Sequence, residues 1–483
     1  RRNFLKLMGA SFALGGLSGC TIQPQEKIVP QVRAPEEIVP GKPLYYATTY
    51  PQYGVGVGIL VESHMGRPTK IEGNPQHPAS LGGVSGSTQA SILDLYDPDR
   101  SQTIKNAGRL STWSTFLENF RTHLHAQEFE EGAGLRILTQ TVTSPTQGLL
   151  LSQIKNRFPQ SKWHQYEPVN RDNYHEGTIS AYGRRYNTFY DYSKAKVILS
   201  LDSDFAGSGD ASVRYAREFA RNRRVRDGKM DMNRLYVIES SPTTTGSAAD
   251  HRWAMNSSEI EKVALEIALA LDVNTLGIDT VSESDANNLK PWTQSIIEDL
   301  KANKGKCIVT AGSSMSPDVH ALVHAINEKL GNTGSTVHLT IPLEVDPVDH
   351  RESLNDLVSD MNNGQVDLLV IIDANPLYDT PADSDFAKAI ERVAHRVHMG
   401  LTENETSEMC QWHVPKSHYL ESWGDIRAYN GLASVIQPLI KPLYKTHSPL
   451  ELLSVIAGKA GLQDFDLVKD FWKSQKLGAN FAT

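Results

Sequence analysis

Short apolar runs alternate with longer amphipathic stretches through the middle and C-terminal parts of the chain. GLRILTQT, AKVILSLDSD, NRLYVIESS, GKCIVTAGSS and VDLLVIIDANP are rich in Val, Ile and Leu and finish on polar residues, which predicts buried strands. Between them PTQGLLLSQIKNRF, ASVRYAREFARNRRV, SSEIEKVALEIALAL, DVHALVHAINEKLG and FAKAIERVAH place apolar residues at helical spacing. That order predicts an α/β fold of doubly wound parallel sheets, two Rossmann-like layers with helices on both faces. Ahead of it, GVGVGILVESHMGRPTKIEG reads as a hairpin turning at His64-Met65-Gly66-Arg67, and RLSTWSTFLENFRTHL as a helix with Ser111 as N-cap.

Residues 1–20 follow a different pattern: paired Arg1-Arg2, a short apolar middle rich in small residues, then Leu17-Ser18-Gly19-Cys20. The apolar run is too short for a membrane span, which needs about 20 residues. It resembles a twin-arginine export signal followed by a lipobox, with Cys20 the expected lipidation site. Residues 21–43 carry prolines at Pro24, Pro30, Pro35, Pro40 and Pro43 and read as an extended strap. Together these predict an exported protein, membrane-associated at the periplasmic face of the bacterial inner membrane.

Composition narrows the chemistry. The 483 residues are 39% hydrophobic and 22% charged, ordinary for a soluble protein, and the formal charge of -8 gives no general reason to bind nucleic acid. The cysteines Cys20, Cys307 and Cys410 lack CxxC spacing, so they cannot build a zinc site or an iron–sulfur cluster. Cys307 reads as a buried strand-edge residue, and a bridge between Cys307 and Cys410 stays open.

Ligands of open α/β sheets bind beyond the carboxyl ends of the strands. Here those ends are LDSDFAGSGD, IESSPTTTGS, TAGSSMS and DANPLYD. Gly207 and Gly209 would let a ligand approach the backbone, and a helix opening near Ala211 would offer free N–H groups. Each loop taken alone is also ordinary turn and capping chemistry.

KIEGNPQHPASLGG (70–83), followed by LYDPDR (95–100), resembles the opening domain of molybdopterin oxidoreductases of the bis-(molybdopterin guanine dinucleotide) type. The resemblance continues through AKVILSLDSD, LYVIESSPTTTGSAAD, DANPLYD, ENETSEMCQWHVPKSHYLESWGD and SVIQPLIKPL, covering most of residues 41–458. With the arginine pair and the strap, the set is similar to the molybdopterin-like part of the large peripheral subunit in alternative complex III. That complex is a bacterial membrane quinol:electron-acceptor oxidoreductase of the respiratory chain.

The resemblance implies a pterin-nucleotide crevice, if cofactor is bound, at Ser203, Asp204, Ser240, Ser241 and Asn375. It also implies four cluster positions, which fall at Tyr50, Tyr53, Val57 and, near the fourth, Ser85. Two phenols, an isopropyl group and a hydroxyl cannot replace thiolates, so these positions are expected to be vestigial. In the region that supplies the molybdenum ligand, HQYEPVNRDNYHEG, only Asp172 could offer an oxygen, and it reads as a solvated loop carboxylate. His77 is expected to fix its loop by hydrogen bonding, and His164 and His175 to lie at the surface.

The expected organisation is a β-rich domain (44–105), an α/β domain (106–165 with 302–483) and an inserted nucleotide-binding-like α/β domain (166–301). The expected function is a cofactor-poor, non-catalytic portion of a quinol-oxidising complex that supports its iron–sulfur module. The resemblance implies iron–sulfur clusters, which without cluster cysteines here are expected in an adjoining region or partner, and the start at the twin arginines without Met suggests a fragment. Expected partners are multihaem cytochrome c, an iron–sulfur region or subunit, and polytopic quinol-oxidising subunits. The alternatives are an active enzyme holding molybdopterin guanine dinucleotide, with Asp172 or solvent on the metal, and a lipid-anchored periplasmic scaffold.

Overall fold

A computed structural model describes residues 38–225, 228, 231–275, 277–278 and 290–475. Arg1, Arg2, Cys20 and residues 21–37 of the strap lie outside the described residues. The chain divides into two compact units, Arg1–Pro43 and Leu44–Thr483. Of the first, the described part is a turn closed by the Lys42 N–H on the Val39 carbonyl at 3.0 Å.

In the second unit the strands begin with β1 (Leu44–Gln52), β2 (Val55–His64), β3 (Arg67–Gly73), β4 (Lys105–Asn106), β5 (Arg109–Leu110), β6 (Leu135–Thr139) and β7 (Lys162–Gln165). There follow β8 (Asn187–Tyr190), β9 (Val197–Leu201), β10 (Arg234–Glu239), β11 (His251–Ala254), β12 (Cys307–Ala311) and β13 (Val337–Thr340). The series ends with β14 (Leu368–Ile372), β15 (His395–Gly400), β16 (Trp412–Pro415), β17 (Gly424–Arg427) and β18 (Ala433–Ile436).

Strands β1, β2 and β3 form an antiparallel meander. Each of its turns carries two successive left-handed residues, Tyr53 (φ 47°) with Gly54 (φ 74°), and Met65 (φ 53°) with Gly66 (φ 80°). That pair of conformations suits a tight hairpin whose twist matches its strands. The GVGVG run has a packing reason: a Cβ on Gly58 would stand 2.1 Å from the His77 ring, and one on Gly56 would stand 2.7 Å from Ile426.

Beside two antiparallel ribbons, β8 with β13 and β17 with β18, two sheets carry the rest, both with helices on each face. The larger runs β5-β4-β16-β15-β14-β6-β7, parallel from β16 to β7. Ile137 and Val370 pack to one side with Phe116 and Leu453, while Leu138 and Ile371 pack to the other with Leu357 and Phe386. The smaller runs β11-β10-β9-β12, all parallel. Leu199 and Val309 face the helices Ser257–Ala270, Pro291–Ala302 and Pro317–Lys329, and Ile198 and Ile308 face Phe219. Burial on both faces explains the continuous apolar runs.

Several expectations are corrected. Strand β12 pairs with β9, so the smaller sheet extends beyond the boundary drawn at 301. Thr112, not Ser111, caps the helix Trp113–Phe129, its hydroxyl accepting from the Thr115 N–H at 3.2 Å. Cys307 and Cys410 are free thiols buried in separate cores, so they do not pair. His164 and His175 are buried rather than at the surface. Among the described residues no helix is long and apolar enough to cross a membrane.

Candidate functional site

Each parallel sheet has a switch point, where neighbouring strands connect in opposite directions: between β6 and β14 in the larger, between β9 and β12 in the smaller. Such points open a crevice at the carboxyl ends of the strands. A cavity lies at both.

The large-sheet cavity, about 200 Å³, is lined by Thr141 and Ser144 beyond β6, Asp373 beyond β14, Lys416 beyond β16, Asp425 on β17, and Tyr53. Asp373 is left-handed (φ 61°), and its carboxylate accepts from Lys416 Nζ at 2.6 Å. The hairpin tip closes onto this cavity: Gly54 offers its carbonyl to the Thr143 hydroxyl, and a Cβ there would stand 3.0 Å from the Thr141 carbonyl. Asp425 is buried and accepts from the Ser144 and Thr146 hydroxyls, from the Thr146 N–H (3.1 Å) and from Trp472 Nε1 (2.8 Å).

The small-sheet cavity, about 220 Å³, is lined by the loop Ser208–Ser212, the rings of Tyr190, Tyr215 and Tyr429, and Arg171. Asp210 pairs with Arg171, so the charged residues on its wall cancel. A polar chain runs between the crevices. Glu167 accepts from the Thr141 N–H at 3.2 Å, and burial pushes its carboxyl up to about 7. Arg171 stands 3.7 Å from Glu344, which receives His175 Nε2 at 3.4 Å. Burial alone would raise the Glu344 pKa, but His175 and Arg171 outweigh it and hold that carboxyl at about 2.

The residues expected in the pterin crevice are not brought together. Ser203 alone of the five lines the small cavity. Asp204 accepts from the Thr245 N–H at 2.8 Å and the Thr245 hydroxyl at 2.7 Å. Ser240 donates its N–H to left-handed Asp202 at 2.8 Å, and Ser241 is exposed. Asn375 belongs to the larger sheet, where it donates to Glu405 at 2.8 Å and accepts from the Thr406 hydroxyl at 2.7 Å.

Three of the four cluster positions are built into packing or a helix cap. Tyr50 and Val57 are cross-strand partners, and the Tyr50 ring meets Tyr419 edge-on at 5.1 Å. Burial pushes the Tyr50 phenol up to about 12, which keeps it protonated. Ser85 caps the helix Gly86–Tyr96 through the Thr88 N–H at 3.1 Å. Tyr53 is 74% exposed on the hairpin tip.

Asp172, expected to be a solvated loop carboxylate or a weak metal ligand, opens the helix Asp172–Tyr182 and accepts from the His350 N–H at 3.0 Å. It lines neither cavity. His77 bonds Ser434 at 2.9 Å, a loop-fixing role. His164 adjoins Asp356 and Asp360, but Lys162 reaches both carboxylates and Arg136 takes Asp360 at 2.7 Å, so the charges are already balanced. Asp425 and its donors carried no local signal, because Ser144 and Thr146 lie 279 or more positions from it and Trp472 lies 47.

No family model matches the sequence. The chain is 22% identical, over an alignment 519 positions long, to the menaquinone reductase molybdopterin-binding-like subunit of Nitratidesulfovibrio vulgaris, covering 96% of this chain and 72% of that one. The structure matches acetylene hydratase from Pelobacter acetylenicus with TM-score 0.64 and 12% identity, covering 86% of this chain and 69% of that one. The chain has the molybdopterin-oxidoreductase fold.

On that fold the residues present do not fit the group the superfamily implies. The cluster positions hold no thiolate, and in the metal-ligand region Asp172 accepts from the His350 N–H and Glu167 from the Thr141 N–H. Neither cavity reaches the ~300–1,000 Å³ of pockets for drug-sized ligands, and a dinucleotide is larger still. In the large-sheet cavity, the N-terminus of the helix Pro145–Arg157 already meets a carboxylate, that of Asp425, which accepts from the Thr146 N–H.

Proposed function

We propose that this chain is the cofactor-poor, molybdopterin-like part of a membrane-associated quinone-linked oxidoreductase, of the alternative complex III kind. In this reading it is exported through the Arg1-Arg2 signal, lipidated at Cys20, and stands at the periplasmic face of the inner membrane. Its framework supports an iron–sulfur module held elsewhere and docks on multihaem cytochrome c and polytopic quinol-oxidising subunits.

The observation that carries the reading is the fate of the cluster positions. Tyr50, Val57 and Ser85 serve the interior and a helix cap, so the fold keeps its shape without the metal chemistry. The resemblance to a subunit named for menaquinone reductase supports the quinone-linked assignment. Affinity purification from native membranes tests it: the expected result is co-isolation of multihaem cytochrome and polytopic subunits with quinol-oxidising activity. Recovery of the chain alone, as a free lipid-anchored protein, would count against it.

A further inference from the structure

The helix Pro145–Arg157 begins where the larger sheet's switch point opens, directly after β6. Its first turn holds no acidic residue, while Lys155 and Arg157 sit in its last turn. Pro145 has no N–H to offer, so the first free amide is that of Thr146. A helix in this position ordinarily turns its N-terminus to an anionic ligand.

We infer that Asp425 is the resident anion of this crevice and the residue that decides against an external one. Its carboxylate takes the Thr146 N–H, the Ser144 and Thr146 hydroxyls and the Trp472 indole N–H, leaving that helix end satisfied from within. A phosphate or carboxylate entering beside it would meet a like charge in a buried, poorly screened place. The inference rests on the cofactor-poor reading above and names the group that enforces it at this helix.

Chemical rescue tests it. Asp425→Ala removes a carboxylate and leaves the methyl carbon, so formate restores the missing atoms. The expected result is a Tm lowered by several degrees and recovered by excess formate, but not by chloride at equal ionic strength, with the wild-type Tm insensitive to either. Equal responses to formate and chloride, or an unchanged Tm, would overturn the inference. Where Asp425→Ala does not accumulate, Asp425→Asn keeps the shape without the charge: a lowered Tm is expected, and a wild-type Tm overturns it. A pterin assay on the same wild-type preparation separates the two ideas. Bound pterin overturns the cofactor-poor reading, whereas pterin-free protein that formate does not rescue overturns only the role of Asp425.

Discussion

The large-sheet crevice is closed by residues brought from both ends of the unit: the hairpin tip at Tyr53–Gly54, and Asp425, which reaches Ser144 across 281 positions. The small-sheet crevice is stitched by its neighbours instead. Asp202 holds Ser240 across 38 positions, Asp204 holds Thr245 across 41, and Glu239 holds Thr243 across 4. The same topology therefore gives one cavity closed by the hairpin tip and Asp425, and another whose strand-end loops are stitched locally while Tyr429, held by Asn187 across 242 positions, completes its wall. Polar strand ends, which in a cofactor enzyme would face a ligand, here largely face each other.

Acid should break both regions at once, with the largest effect. Burial holds His398 and His320 at about 4, and burial with a neighbouring histidine holds His413 and His324 at about 3. Folded pKa values below the ordinary 6.5 favour the neutral ring. The stability is therefore complete above about pH 6.5 and lost as pH falls toward 4, by up to ~1.4 kcal/mol per histidine per pH unit. Urea midpoints measured from pH 7.5 down to 5 should fall steadily; flat midpoints would contradict it.

Asp425→Ala separates the regions. Unpairing its four donors, three of them on the buried Ser144 and Thr146, should cost about 3–5 kcal/mol. Hydrogen exchange should speed in the hairpin tip, the start of the Pro145 helix and β17, while β9 and β10 stay protected. Asp204→Ala is the converse, with a loss of about 1–2 kcal/mol and faster exchange confined to the loops after β9 and β10. Uniform exchange changes in either variant would erase the comparison.

Smaller effects sharpen the account of the cluster positions. Ser85→Ala should cost about 1 kcal/mol by uncapping its helix. Tyr53→Ala, on an exposed tip, should stay within about 0.5 kcal/mol. Denaturant titrations of the two variants check both values, and a large loss at Tyr53 would mean that it supports more than the tip.

Much of this was legible in the sequence because it depended on local pattern. Continuous apolar strands such as β6, β9 and β14, the amphipathic helices between them, and the Met65-Gly66 turn follow from periodicity and backbone preference. The missing thiolates at Tyr50, Tyr53 and Val57 were equally plain, since residue type alone decides soft-metal ligation. The rest depended on long-range contact. Nothing near Asp425 tells that its partners are Ser144 and Thr146, and nothing near His175 announces that Glu344 will bury it. Thr112 displaced Ser111 because two adjacent hydroxyl residues offer the same cap one position apart.

The most direct test of the central claim is the molybdenum, tungsten and pterin content of the native full-length chain, by elemental analysis and by fluorescence of the oxidised extract. The account predicts none of the three above trace. Stoichiometric pterin released from the purified chain, with or without a metal, would contradict it.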